Sequence, residues 1–352
     1  MSTVFTVVST ALNDRGSDES AEPVNSTKPS PRIAVFGLGT MGRQHARVLS
    51  LLPQFQLVAG VDPSPLARSH VAKHFDITTY ASPKEAVAAG LDAVVVASPT
   101  ASHFAVTSAL LKAGIDVLVE KPVTSTVEEA ISLAHLAADR GRVLMVGHIE
   151  RYNPAVGALK AILDKGVLGE VVSVVGRRVG FAQPRDDYAS VILDLAIHDL
   201  DIVRYLLGRD GKVVYANTLT TVGRHGPDHV DIGLRFGNAF THLQANWITP
   251  VKMRGISVTG TSGFAELDFV AQTINLYERA QAPDGSAAWN LYDAVKKARP
   301  SLSPIEIEEP LVLELRDFLR CVDTRETPLA DIESATVALA LAESAAALAA
   351  KD

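Results

Sequence analysis

Three groups of residues in this chain have types and spacings that could do chemistry. The first is Gly37-Leu38-Gly39-Thr40-Met41-Gly42, between an apolar run at residues 33–36 and a helix-compatible segment. A second apolar run, residues 57–61, is closed by Asp62. Gly37 allows a tight turn off a strand, Gly39 lets the backbone approach a pyrophosphate, and Gly42 lets the helix sit close to the sheet. The helix N-terminus, at Thr40 and Met41, offers free N–H groups to phosphate charge. Asp62, twenty residues beyond Gly42, stands where a carboxylate accepts both hydroxyls of an adenosine ribose. An acid there repels a 2′-phosphate, so the pattern predicts a dinucleotide site that favours NAD over NADP.

The second group is Glu120-Lys121-Pro122, directly after an apolar strand at residues 117–119. Lys121 could be a surface lysine that only lays its stem on the sheet edge. Pro122, however, restricts Lys121 to an extended conformation and could be cis. Held there, the ammonium could bind a reacting oxygen and stabilise developing alkoxide charge. The third group is Asp194-Leu195-Ala196-Ile197-His198-Asp199, in which Asp194 and His198 are one helical turn apart and share a face. An acid and an imidazole so placed suit proton transfer in alcohol oxidation, because imidazole titrates near neutrality. They also fit a helix acid beside a core-facing histidine. A zinc reading lacks a third ligand, so no metal is expected.

The elements that must position these groups follow from periodicity. Between residues 31 and 147, short apolar strands alternate with helical segments, which predicts a doubly wound parallel sheet with right-handed crossovers. The β-branched run at residues 93–97 reads as a strand buried on both faces. Ligands of such sheets sit beyond the carboxyl ends of the strands. Ser98, Thr100, His103, Lys121 and His148 all fall at or just past predicted strand ends, which places them around a nicotinamide. After about residue 151 the pattern changes. Helices at residues 155–164 and 190–207 and a strand at residues 170–178 precede about six strand candidates between residues 212 and 277, which predicts an α+β domain with a mostly antiparallel sheet. Residues 280–304 read as an irregular loop, and residues 311–322 and 332–350 as helices, the last so rich in alanine that it should pack closely on a neighbour.

The domain plan is therefore a flexible extension (residues 1–30), a dinucleotide-binding domain (31–150) and a second domain with the C-terminal helices (151–352). In the second domain, Arg177, Arg178 and Arg185, with Arg151 just ahead of them, fit either a solvated strand edge or recognition of phosphate by planar guanidinium groups. Asn246-Trp247 ends a strand and could line a pocket, whereas His225 and His229 are expected only to flank a turn. A net charge of −7 argues against a general nucleic-acid or membrane-surface role. The single cysteine, Cys321, excludes an intrachain disulfide and fits a reducing cytoplasm. No apolar run is read as approaching membrane-span length, and the N-terminus lacks the basic start of a signal peptide.

GLGTMG, SPT with His103, EKP and the DLAIHD helix, in this order, resemble the Gfo/Idh/MocA oxidoreductases. The resemblance implies an N-terminal Rossmann domain and a C-terminal domain with an open sheet, whose exposed face commonly builds dimers or tetramers. It also implies that Lys121, Asp194 and His198 are the catalytic lysine, aspartate and histidine, with His198 as base and the other two orienting the substrate hydroxyl. Glu120 and Lys121 join the loop residues on the cofactor side. The stretches GHIERYNPAVGALK, RRVG, DLAIHDLDIVRYL and NWITPVK resemble a narrower group within the family, which oxidises the 3-hydroxyl of UDP-N-acetylglucosamine, usually ahead of an aminotransferase. On that resemblance His148, Arg151, Tyr152, Arg177, Arg178, Arg185, Asn246 and Trp247 join the substrate side. The stretch after RRVG and the N-terminal extension depart from the pattern. The expected activity is thus NAD-dependent oxidation of a sugar hydroxyl. Another ring polyol (an inositol, a sugar phosphate or a nucleoside ribose) and a non-catalytic NAD-binding redox sensor are the alternatives.

Overall fold

The computed structural model describes residues 30–181, 190–221, 226–278, 301–302 and 305–350. These form two compact units, the first reaching Tyr152 and taking in Glu309–Ala340, the second built on Asn153–Glu308 and the residues from Leu341 onward. The first unit alternates β1 (Arg32–Phe36), α1 (Thr40–Leu51), β2 (Gln56–Val61), α2 (Pro65–Phe75), β3 (Thr78–Tyr80), α3 (Pro83–Ala88), β4 (Ala93–Val96), α4 (Thr100–Lys112), β5 (Asp116–Glu120), α5 (Val127–Arg140) and β6 (Leu144–Gly147). All six strands are parallel, in the order β3-β2-β1-β4-β5-β6. Every residue of β4 and β5 is buried, as a sheet covered on both faces requires. The order reverses between β1 and β4, and that switch point opens a crevice at the carboxyl ends of the strands. Local signals set the helix ends: Ser64 and Thr126 accept N–H bonds as N-caps, Pro65 opens α2, and Gly141 ends α5 in the left-handed region.

The second unit begins with α6 (Pro154–Asp164) and β7 (Val171–Val179), followed by a π-helical turn (Ile192–Ala196) that runs into α7 (Ile197–Leu207). Then come β8 (Lys212–Leu219), β9 (His229–Phe236), β10 (Ala239–Asn246), β11 (Met253–Gly260), β12 (Gly263–Asp268), β13 (Thr273–Glu278) and the short β14 (Ser301–Leu302). The sheet order is β14-β13-β12-β11-β7-β10-β9-β8, antiparallel except for the pair β7–β10. One face carries Val174, Gly176, Leu243, Ile256 and Val258, all buried beneath the helices. The other carries Val175, Arg177, His242 and Ser257, partly or fully exposed in this chain. The sheet is open on that side. Ser301–Leu302 pairs with β13, so part of the stretch expected as irregular is strand; residues 279–300 and 303–304, like the extension at 1–29, lie outside the described residues.

Two expectations about the C-terminal helices change. Helix α8 (Pro310–Thr324), assigned above to the second domain, belongs to the core of the first unit. Its stripe of Leu311, Leu315, Phe318 and Val322 recurs at helical spacing and clusters with Ile33, Val35, Val48 and Leu49. Amphipathicity predicts a covered face but not which sheet covers it. Helix α9 (Ile332–Ala349) is, among the described residues, the one helix long and apolar enough to cross a membrane by length and composition. That corrects the reading that no run reaches span length. Its buried residues Ala335, Ala338, Leu339, Ala342 and Ala345 form a stripe rather than an apolar girdle. Small side chains on one face are what close packing against protein requires.

Candidate active site

In the first unit the glycine loop is built as its spacing requires. Gly37 has φ +90°, and a Cβ there would lie 2.5 Å from the Ala97 carbonyl oxygen and the Ser98 nitrogen. A Cβ on Gly42 would lie 1.8 Å from the Gly37 carbonyl oxygen, so this position admits only glycine beside the strand end. Gly39 meets nothing within 4 Å, is exposed with Thr40 and Met41, and caps α1 without a side-chain bond. The N-terminal N–H groups of α1 are thus left open to an anion. Asp62 closes the loop: one carboxylate oxygen accepts the Leu38 N–H at 2.8 Å and the other the Ser64 N–H at 2.8 Å. Each oxygen retains a lone pair for a ribose hydroxyl. These residues fit a dinucleotide.

The ends of β4 and β5 are tied together by His103, which is buried rather than facing a ligand. Its ring nitrogens lie 2.7 Å from the Ser98 carbonyl oxygen and 2.9 Å from that of Pro122. Ser98 and Thr100 remain partly exposed beside the loop. The Lys121–Pro122 bond is cis, and Lys121 is partly exposed at the sheet edge. Glu120, expected among the cofactor contacts, turns inward: it accepts from His45 Nε2 at 2.7 Å and from the Lys121 N–H at 3.3 Å. Gly147 makes room, since a Cβ there would lie 2.9 Å from the Glu120 carboxylate. Burial opposes the Glu120 charge, but the His45 bond and the charges of His45 and Lys121 outweigh it and hold the carboxyl below its usual range.

Other expected ligand residues of this unit are buried. His148 and Arg151 are buried in the turn after β6, and Arg151 Nη1 donates to the Leu329 carbonyl at 2.7 Å. The Tyr152 hydroxyl is buried, donates to Asp317 at 2.7 Å and accepts the Ala330 N–H at 3.3 Å. Burial and the neighbouring Asp317 push it far above the usual phenol range. Sequence reasoning missed Glu314, fully buried on α8 and without a hydrogen-bond partner on either carboxylate oxygen. Burial first, then the charges of Glu120 and Asp317, raise its carboxyl well above the ordinary value.

In the second unit the expected continuous helix from residue 190 is π-helical over Ile192–Ala196, so Asp194 sits in the wider turn and His198 in the α-helical turn after it. π-turns inside helices occur at functional sites, and hydrophobic periodicity gives no sign of them. Both residues are partly exposed and face neither core nor open solvent alone. Trp247 Nε1 donates to Asp194 Oδ2 at 3.3 Å. Asn246 is buried and turns the chain after β10 by accepting the N–H groups of Ile248 and Thr249.

The arginines separate. Arg178 is fully buried: its Nε and Nη2 donate to Asp199 Oδ1 at 3.0 and 2.8 Å, and its guanidinium stacks 4.9 Å from the Phe269 ring centre. It is a core ion pair rather than a substrate contact. Arg177, one residue earlier, points to the open face of the sheet, away from the face that packs α7, because strand side chains alternate. Arg185 and His225 lie outside the described residues, and His229 opens β9 with its Nε2 2.8 Å from Asp231. Among the described residues no group of three or more His, Cys, Asp or Glu side chains could hold a metal ion.

A parallel sheet of this order, with a glycine loop at its switch point and an acid at the end of the second strand, has the form of a dinucleotide-binding domain. Residues 31–148 match the oxidoreductase family with an NAD-binding Rossmann fold, and residues 156–266 match the GFO/IDH/MocA C-terminal domain. The chain belongs to the Gfo/Idh/MocA family. It is 29% identical over 296 residues to a UDP-N-acetylglucosamine 3-dehydrogenase of Acidithiobacillus ferrooxidans, covering 83% of this chain and 88% of that protein. It is 27% identical to a scyllo-inositol 2-dehydrogenase (NAD(+)) of Bacillus subtilis, covering 88% and 91%. A solved structure of the Acidithiobacillus enzyme superposes with a TM-score of 0.79 at 27% identity, covering 92% of this chain and 99% of that one. The chain is an NAD-dependent sugar or polyol dehydrogenase by family.

Proposed function

We propose that this chain oxidises a ring secondary hydroxyl of a sugar, with the 3-hydroxyl of UDP-N-acetylglucosamine as the first candidate. The observation that carries the reaction type is the partly exposed pair Asp194, on the π-turn, and His198, in the α-helical turn after it, in a family whose first unit binds NAD. NAD, when bound, supplies the hydride-accepting nicotinamide. His198 accepts the hydroxyl proton, and Lys121 and Asp194 orient the hydroxyl, the ammonium stabilising its developing negative charge. Asp62 and the open N-terminus of α1 hold the dinucleotide, and Asp62 disfavours a 2′-phosphate. The 3-keto product would suit an aminotransferase, and the open sheet face would build a homodimer or tetramer. The one buried cysteine fits a cytoplasmic enzyme.

The support for the nucleotide sugar is the similarity to the Acidithiobacillus enzyme over most of both chains. A second reading, oxidation of an inositol, is favoured by a specific observation: Arg178 is locked into an ion pair and Arg177 faces the open side of the sheet, so neither is presented with Asp194 for a diphosphate. The test is NADH absorbance on mixing protein and NAD with UDP-N-acetylglucosamine or with scyllo- and myo-inositol, each with a ketone trap. NADH with the nucleotide sugar alone supports the first reading. NADH with inositols alone replaces it, and silence with every polyol overturns catalysis.

A further inference from the structure

Trp247 sits one residue beyond β10, and alternation along that strand puts it on the helix-covered face with Leu243 and Ala245. Its backbone N–H is fixed to the Asp228 carbonyl at 3.0 Å, and the residue is only 7% exposed. A buried indole N–H needs an acceptor, and Trp247 Nε1 donates to Asp194 Oδ2 at 3.3 Å. The Asp194 backbone is held in turn by its N–H to the Ser190 carbonyl at 2.9 Å. Asp194 stays partly exposed. π-turns inside helices are frequent at functional sites, and the Trp247 bond reaches Asp194 from outside this turn.

We infer that Trp247 is a positioning residue for the dehydrogenation, acting through the bond from its indole N–H to the Asp194 carboxylate. The inference rests on the role proposed above for Asp194. Replacing Trp247 by benzothienylalanine keeps the ring's shape and removes only the N–H. Because the lost bond is to a charged group, kcat should fall about 10–100-fold, with KM for NAD unchanged and Tm within about two degrees of the native chain. Trp247→Phe should give the same sign of effect. In an Asp194→Ala background, which has no acceptor for the indole N–H, the benzothienyl replacement should cost little more, because both changes remove one interaction. Full activity of the benzothienyl protein, or an equal loss in both backgrounds, would overturn the inference.

A second readout needs no turnover. The chain has two tryptophans, so with Trp289→Phe the fluorescence reports Trp247 alone. Asp194→Asn should then shift the emission maximum, since a carboxylate next to the indole is replaced by an amide. An unchanged spectrum would show that the contact is absent. If the native chain makes no NADH from any polyol, the proposed function fails, and this spectrum still decides whether Trp247 holds Asp194.

Discussion

The two units solve the same problem with different cations. In each, a proposed catalytic residue is the chain neighbour of a carboxylate that turns inward: Glu120 precedes Lys121, and Asp199 follows His198. Glu120 pairs with His45 on the dinucleotide helix and Asp199 with Arg178 on β7. Adjacent side chains on a strand or helix point in different directions, so an inward anchor fixes the backbone of an outward catalytic group without blocking it. The difference lies in the number of bonds. A guanidinium offers several donors in a planar fork, an imidazole two at most. The pair beside His198 is therefore fixed by two charge-assisted bonds, and the pair beside Lys121 is conditional on one.

Breaking the fixed pair should have the larger effect. Arg178→Ala leaves Asp199 buried without its cation, and destabilisation of about 3–5 kcal/mol is expected in urea unfolding. His45→Ala should cost less, about 1–3 kcal/mol, because Glu120 keeps the Lys121 N–H and the nearby ammonium. Equal losses would remove the distinction between the pairs. The smallest effect sharpens the conditional side. Glu314 has its folded pKa raised by burial and by Glu120 and Asp317, so its contribution to stability is present below the ordinary carboxyl range and is lost as pH rises above it. Glu314→Gln should leave Tm near the native value in mild acid and raise it by about 2–4 °C at pH 8. A gap that narrows with pH would contradict this assignment.

The first unit was largely legible because glycine and aspartate at fixed spacing have steric and hydrogen-bonding consequences that need no tertiary context. Gly37, Gly42 and Asp62 stand where the spacing puts them. The six strands from β8 to β13 also follow from local signals, while the bond before Pro122, which the sequence left open, is cis. Partners distant in sequence were not legible. Nothing in RRVG distinguishes Arg178, buried on Asp199, from Arg177 on the open face, except strand alternation once the covered side is known. His103, Arg151 and Tyr152 read as ligands because polar residues past strand ends often are, yet their partners Pro122, Leu329 and Asp317 absorb them. Helix α8 joined the first unit because its apolar stripe found that core.

Lys121 and His198 are proposed to carry the oxidation, and the glycine loop and Asp62 to hold NAD. The most direct test is the turnover of Lys121→Ala and His198→Ala beside NAD binding measured by calorimetry. Each variant should lose turnover by orders of magnitude, about 10²-fold or more, with NAD affinity nearly unchanged. Near-normal turnover in either variant would contradict the role assigned to that residue.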